Sequence, residues 1–292
     1  MANMRDIKQR IEGTQKTSQI TKAMHMVSAS KLKKAEKTIK AYRPLTEKLE
    51  TILSRIFNED PDLRHPMLEP RTIHHSTFIL VTSDRGLAGP YNANVFKAFE
   101  TYIKKHQYDA SQISVAAIGN KAFNYAKQRE YQLVQYEPIQ VRDDFQFIDF
   151  QKLTDTFIKN YLEGTTDEII TVYNKFINTL SQDVTVKPLV PLEFNPDVDT
   201  EKPEATALIY DFEPDIKTAL SMLLPNYVVH TLYGMVLEGK ASEHASRMTA
   251  MKNATDNAKE VIDTLTLSYN KARQDAITIE LTDIIGGANA VN

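Results

Sequence analysis

The chain has no cysteine in 292 residues, which excludes a disulfide scaffold, a thiolate metal site and a cysteine nucleophile, and fits a reducing compartment. Glycine is scarce. Its 9 residues are about 3% of the chain against a usual ~7%, and only Gly13 precedes Gly86, so long stretches contain nothing to interrupt a helix. The first ten residues alternate charges with single apolar residues and hold no apolar core of signal-peptide length, so export is not expected. The longest run without a formal charge, residues 218–237, is twenty residues, long enough to cross a bilayer. It contains Pro225, Asn226, His230, Gly234 and several hydroxyls, which point instead to a crowded protein interior. No transmembrane helix is expected.

What is present is the composition of a folded protein with a sizeable core: 42% hydrophobic, 25% charged, mean hydropathy -0.38. The length is a prior for about two domains. A net charge of -3 hides an asymmetry, because residues 1–57 carry 13 Lys or Arg and 5 Asp or Glu, leaving 22 and 33 for the remainder. One end is basic and the rest is acidic.

Hydrophobic periodicity predicts two long helices at the ends of the chain. From Ile20 the apolar or small residues recur at Ala23, Val27, Leu32, Ala35, Ile39, Tyr42, Leu45, Leu49, Ile52 and Ile56, nearly in steps of three and four from Leu32 onward. This predicts one helix over about 5–57, bent or left with an unpaired carbonyl at Pro44. At the other end Ala241, Ala245, Met248, Lys252, Thr255, Ala258, then Ile262, Leu265, Tyr269, Ala272, Ala276 and Ile279 keep the heptad for more than five repeats. Gly286-Gly287 is expected to stop that helix, which with the segment from about Asp215 exceeds 60 residues.

Between them the pattern is that of an open, Rossmann-like α/β sheet. Strands are expected at 77–82, 113–118, 168–173 and 184–190, and helices at 93–105, 121–129 and 147–162. The expected organisation is an amino-terminal coiled-coil helix at 1–58, a globular α/β domain at 70–210 with an acidic loop at 193–204, and a carboxyl-terminal coiled-coil helix at 211–292. A compact domain of this size is roughly 40 Å across, whereas about 55 helical residues run ~80 Å. Half of the helical pair is expected to project. Its seam is rich in Ala and Thr, so it buries little, while Ile277, Ile279, Leu281, Ile284 and Ile285 occupy several sides of the helix. Something outside the chain must surround that tip.

The motifs weigh against chemistry in the chain itself. The stretch from Ser83 to Asn92, SDRGLAGPYN, joins a strand to a helix with two glycines, yet it lacks the Gly-Lys-Ser/Thr ending of a P-loop and the third glycine of a dinucleotide fingerprint. It reads as a structural turn. The seven histidines form no ligand constellation, and no nucleophile and base pair stands out. No cofactor and no metal are expected. The basic stripe Lys22, Lys31, Lys33, Lys34, Lys37, Lys40 and Arg43 suits phosphates, an acidic protein partner or simply solvent. Only Tyr42 is near for base stacking, and the nucleic-acid reading leaves the apolar tip unexplained.

Four stretches, taken together, resemble a known family: ITKAMHMVSASK from Ile20, SDRGLAG from Ser83, ASEHASRMTAMKNATDN from Ala241 and YNKARQDAIT from Tyr269. In this order they are similar to the gamma subunit of the F-type ATP synthase, bacterial type. The resemblance implies a non-catalytic central rotor shaft. In that family an antiparallel coiled coil of the two termini stands inside a ring of three alpha and three beta subunits, and an α/β foot lies beside epsilon and the membrane c-ring. It also implies a peripheral place on the cytoplasmic face of the plasma membrane and no nucleic-acid partner. Carried over residue by residue, it places Lys22, Met24, Arg247, Arg273, Gln274 and Thr278 against beta subunits where the shaft enters the ring, and Glu213 near the c-ring end. Ala88 stands where many relatives have Cys and Ile279 where many have Gln. No cysteine-bearing regulatory insertion is present.

Overall fold

The structure is a computed structural model that describes residues 4–59, 63–141, 145, 147–194 and 215–291. Glu213 and most of the expected acidic loop lie outside the described residues. The elements are α1 (Met4–Glu59), β1 (Ser76–Val81), α2 (Tyr91–His106), a 3-10 turn (Ala110–Gln112), β2 (Ile113–Ile118), α3 (Asn120–Gln128), β3 (Gln132–Leu133), α4 (Phe147–Leu162), β4 (Glu168–Phe176), β5 (Gln182–Val190) and α5 (Ile216–Val291). They form two compact units, one of residues 31–246 and one of residues 1–30 with 247–292.

The larger unit is a sheet with helices on both faces. Strand order is β3-β2-β1-β4-β5, parallel except for β5, which returns antiparallel to β4. Every residue of β1 and β2 is buried, as expected for parallel strands covered on both sides. One face presents Phe78, Leu80, Val115 and Val172 to Val95 and Phe99 of α2 and Ala122 and Ala126 of α3. The other presents Ile79, Val81, Ile118 and Tyr173 to α4, the end of α1 and the start of α5.

The charge-free run is explained by that second face. Leu224, Val228, Val229, Leu232 and Val236 are fully buried in the unit's own core, although the helix has the length and hydropathy of a membrane span. Here α1 and α5 run antiparallel: Arg43 pairs with Glu238, Tyr42 and Thr46 lie against Gly234, and Glu50 lies near Tyr227. The Tyr42 hydroxyl meets His230 Nδ1 at 2.5 Å. Burial lowers the histidine pKa and raises that of the phenol, so both stay neutral.

In the smaller unit the seam takes a different phase from the one the apolar residues suggest. Ala23 and Val27 are exposed, while Thr21 and Ser28 are buried at 9% and 3% exposure. The seam positions are Ile7, Ile11, Thr14, Ser18, Thr21, His25 and Ser28, an unbroken alternation of four and three, with Met24 and Ala29 half-covered beside it. Hydroxyls can sit in this seam because their bonds are made locally: the Thr21 and Thr255 hydroxyls are 2.7 Å apart, with Ser18 O and Met251 O as further acceptors. On α5 the covered residues are Met251, Thr255, Ala258, Ile262, Leu265, Tyr269 and Ala272; Lys252, Ala276 and Ile279 are exposed.

As expected, α1 runs without a break through Pro44, whose missing N–H leaves the Lys40 carbonyl without its helical partner. One stop signal is overridden. Gly286-Gly287 does not end α5, which continues to Val291. Glycine in a helix costs about 1 kcal/mol and, unlike proline, removes no hydrogen bond, so a pair of them weakens a helix without forbidding it.

Candidate functional site

Two surfaces merit a functional reading, one in each unit. The first is the outside of the helix pair in the smaller unit. From Arg273 to Ile285 every residue is exposed, including Ile279 and Ile285 at 61% each. On α1, Ile20 and Val27 are 60% and 55% exposed. Because the seam is filled by Thr21 and Ser28, these apolar side chains point away from the chain's own partner helix. An exposed apolar surface of this extent in a charged, folded protein marks a contact with another molecule.

The positions carried over from the resemblance all fall on this unit where they are described. Lys22 is exposed and Met24 half-buried beside the seam; Arg247 is half-buried, and Arg273, Gln274 and Thr278 are exposed. Thr278 Oγ1 donates to the Gln274 carbonyl at 2.9 Å, which fixes the hydroxyl on the helix. The expectation that all of these lie at one level does not hold. With Thr21 opposite Thr255, Met24 and Arg247 are at neighbouring heights, but Arg273 and Gln274 come more than 25 residues after Arg247 on the same helix, about 40 Å farther along. The described set divides into two levels.

The second surface is the turn of residues 83–92 and what it grips. Its interior is filled by its own polar groups. Asn92 Oδ1 accepts from Ser83 N at 3.0 Å, Ser83 Oγ donates to Arg85 O at 2.6 Å, and Asp84 Oδ1 accepts from Asn120 N at 3.2 Å. Burial raises the Asp84 pKa, opposed by the Asn120 N–H and by Lys240. A Cβ on Gly119 would lie 2.3 Å from Thr82 O, so the next strand-to-helix turn is pressed directly on this one.

Helix α5 is fastened to this turn by small residues. Ser246 Oγ donates to Ala88 O at 2.9 Å, Ser242 Oγ to Asn174 O at 2.9 Å, and Asn174 Nδ2 to Tyr91 O at 3.1 Å. Gly239 sits where a Cβ would be 2.9 Å from Val81 Cγ1. The turn is thus a clamp between sheet and helix. The sequence reading missed Gly239, Ser242, Ser246 and Asn174 as its parts. The available signal was the small-residue series Gly239, Ser242, Ser246 at steps of three and four on an otherwise unbroken helix, which means close approach on one face.

The family model described as ATP synthase matches residues 3–291. The chain belongs to the F-type ATP synthase gamma family. Solved structures of similar fold include a chain of the mitochondrial ATP synthase of Euglena gracilis in an OSCP/F1/c-ring assembly, with TM-score 0.66 and 21% identity over 99% of this chain and 94% of that one. A chain of the rotor of the same enzyme gives TM-score 0.63 and 18% identity over 94% and 98%. One from the central stalk and c-ring of the Tetrahymena thermophila mitochondrial ATP synthase gives 0.59 and 22% over 80% and 99%. The fold is therefore shared with these ATP synthase chains at low sequence identity.

Proposed function

We propose that this chain is the non-catalytic rotor, or central stalk, subunit of a proton-translocating F1Fo ATP synthase, coupling ion flow in the membrane sector to ATP synthesis and hydrolysis in a ring of three alpha and three beta subunits. The observation that carries this reading is the family match along 3–291 joined to the exposed, isoleucine-bearing stretch 273–285 of α5. The ring supplies the cover that this tip lacks. Residues 1–58 and 211–292 form the shaft, and 70–210 form the globular part that meets epsilon and the c-ring, with Glu213 near that end. The complex is placed peripherally on the cytoplasmic face of a bacterial plasma membrane.

The chain acts by contact alone. A shaft whose faces differ biases each beta subunit toward an open or a closed state according to which face it meets, a population shift by differential contact. Lys22, Met24 and Arg247 make one set of these contacts and Arg273, Gln274 and Thr278 another, deeper set. Lysines of the stripe attract acidic beta segments weakly, since exposed ion pairs contribute only ~0 to 1 kcal/mol each. Weak attraction permits rotation. The polar interior of the 83–92 turn supports a mechanical role for it, holding α5 to the sheet so that torque on one reaches the other. The test is the mass of the native complex containing this chain: an assembly with three alpha and three beta chains is expected, and a free monomer or homo-oligomer would contradict the reading.

A further inference from the structure

In the larger unit, β4 and β5 outrun the parallel part of their sheet. Val172 is level with Leu80, so residues 174–176 pass beyond the last residue of β1, by about 10 Å at the usual rise per residue. Phe176 pairs with Gln182 to close the hairpin. The turn 177–181 is held by its own polar groups. Asn178 N donates to Ser181 O at 3.1 Å, and Asn178 Oδ1 accepts from Leu180 N at 2.9 Å and Ser181 N at 2.8 Å. Gln182 Nε2 donates to Asn178 O at 3.2 Å and to Thr179 O at 3.1 Å. On this fixed frame stand two apolar side chains, Ile177 at 56% and Leu180 at 88% exposure, and residues 176–182 carry no charge. Hairpin turns are ordinarily built from polar residues and glycine. Ile177 and Leu180 take no part in either core of the unit. A frame ordered in advance avoids the entropy that a loose turn would lose on contact with a partner.

The turn stands at the end of the sheet where α5 leaves the larger unit. Asn174 Nδ2 donates to Tyr91 O, Ser242 Oγ to Asn174 O, and Ser246, the last residue of the unit, to Ala88 O. Resting on the rotor reading above, in which α5 continues from here into the ring of alpha and beta subunits, we infer that Ile177 and Leu180 are a contact for apolar side chains on the rim of that ring. With no charge on it, the turn has nothing to offer a phosphate, a lipid headgroup or an acidic segment. Apolar contact is non-directional. The turn can therefore press on one subunit and pass to the next without the fixed partner that an ion pair or hydrogen bond would demand.

The chain has no cysteine, so Leu180→Cys carries a single thiol that takes a benzophenone maleimide before the full-length chain is assembled with alpha, beta and epsilon subunits. Illumination of the complex is expected to join the chain to alpha or beta. The adduct is expected to be lost when the label sits instead at Leu162→Cys, at the end of α4 that leads into the opposite end of β4. Both side chains are exposed, so neither variant disturbs a core. A label at Leu180 that blocks assembly, while the same label at Leu162 is tolerated, would equally place the ring against the turn. Adducts with epsilon alone, equal ring adducts from both positions, or no adduct in an assembled complex would overturn the inference. If the unmodified chain does not assemble with alpha and beta at all, the rotor reading fails and this contact with it.

Discussion

Replacing each of two glycines of α5 by alanine tests the clamp between helix and sheet, because the two sites lie five residues apart and only the first should be stabilised. At Gly234 a new methyl would meet Tyr42 Cε1 at 3.6 Å, an ordinary contact. Alanine then brings its helix propensity, worth about 0.8 to 1 kcal/mol over glycine, at no steric cost. At Gly239 the same gain is opposed by Val81 Cγ1 at 2.9 Å. Val81 is β-branched, 2% exposed and packed in the core, so its methyl has no empty rotamer to turn into. Overpacking of that kind costs ~1 to 3 kcal/mol, so the net change runs from about zero to a loss of ~2 kcal/mol. Urea unfolding of the purified chain reads the difference: with a slope of ~3 kcal/mol/M, a 1 kcal/mol change moves the midpoint by about 0.3 M. Gly234→Ala should shift it upward and Gly239→Ala should leave it unchanged or lower it. An equal upward shift in both would show that α5 does not press on Val81 as described.

Three further outcomes are expected. Thr21→Cys with Thr255→Cys should form a disulfide readily in this cysteine-free chain, since the native hydroxyls are 2.7 Å apart, whereas Ala23→Cys with Thr255→Cys should not; equal yields would refute the seam assigned to the smaller unit. In reconstituted vesicles, Met24→Lys should leave ATP hydrolysis substantial while proton pumping falls, because a partly desolvated new ion pair of ~1 to 3 kcal/mol deepens one rotary position; Arg247→Ala or Gln274→Ala should lower hydrolysis and synthesis with assembly retained, and wild-type coupling in all three would remove these residues from the contact. Burial tends to raise the Asp167 pKa, but bonds from the His74 and His75 N–H groups outweigh it and hold the pKa below its ordinary 3.8, so its contribution is present above that pH and lost as pH falls through the lowered value; Asp167→Asn should flatten the acid limb of a stability profile below about pH 4, and an unchanged limb would show the group contributes nothing.

The parallel strands were legible because burial on both faces turns them into apolar runs: β2 and α4 have the residue limits their sequences suggest. The two residues of β3 leave no such run, and pair with β2 only through tertiary placement. The antiparallel sense of β5 follows from a link of five residues, too short for a crossover. The phase of the α1 seam was misread because hydrophobicity was followed where hydroxyls that bond locally were the covered residues. Ile20 and Val27 looked like seam and are outward-facing, which is the better clue to function. The apolar tip of α5 needed no structure to be noticed, since isoleucines on several sides of one helix have no place in water. The clamp at Gly239, Ser242 and Ser246 was invisible because small residues declare that something is near without saying what.

The central claim is that the chain turns within its complex. With the alpha and beta subunits of an assembled F1 fixed to a surface and a bead attached to an introduced cysteine in the globular part of this chain, for example Lys127→Cys on α3, addition of ATP should drive unidirectional rotation of the bead. Pauses should fall at three positions per turn, one for each beta subunit. A bead that stays fixed, or only jitters, while the same immobilised complexes hydrolyse ATP at the solution rate would contradict the account.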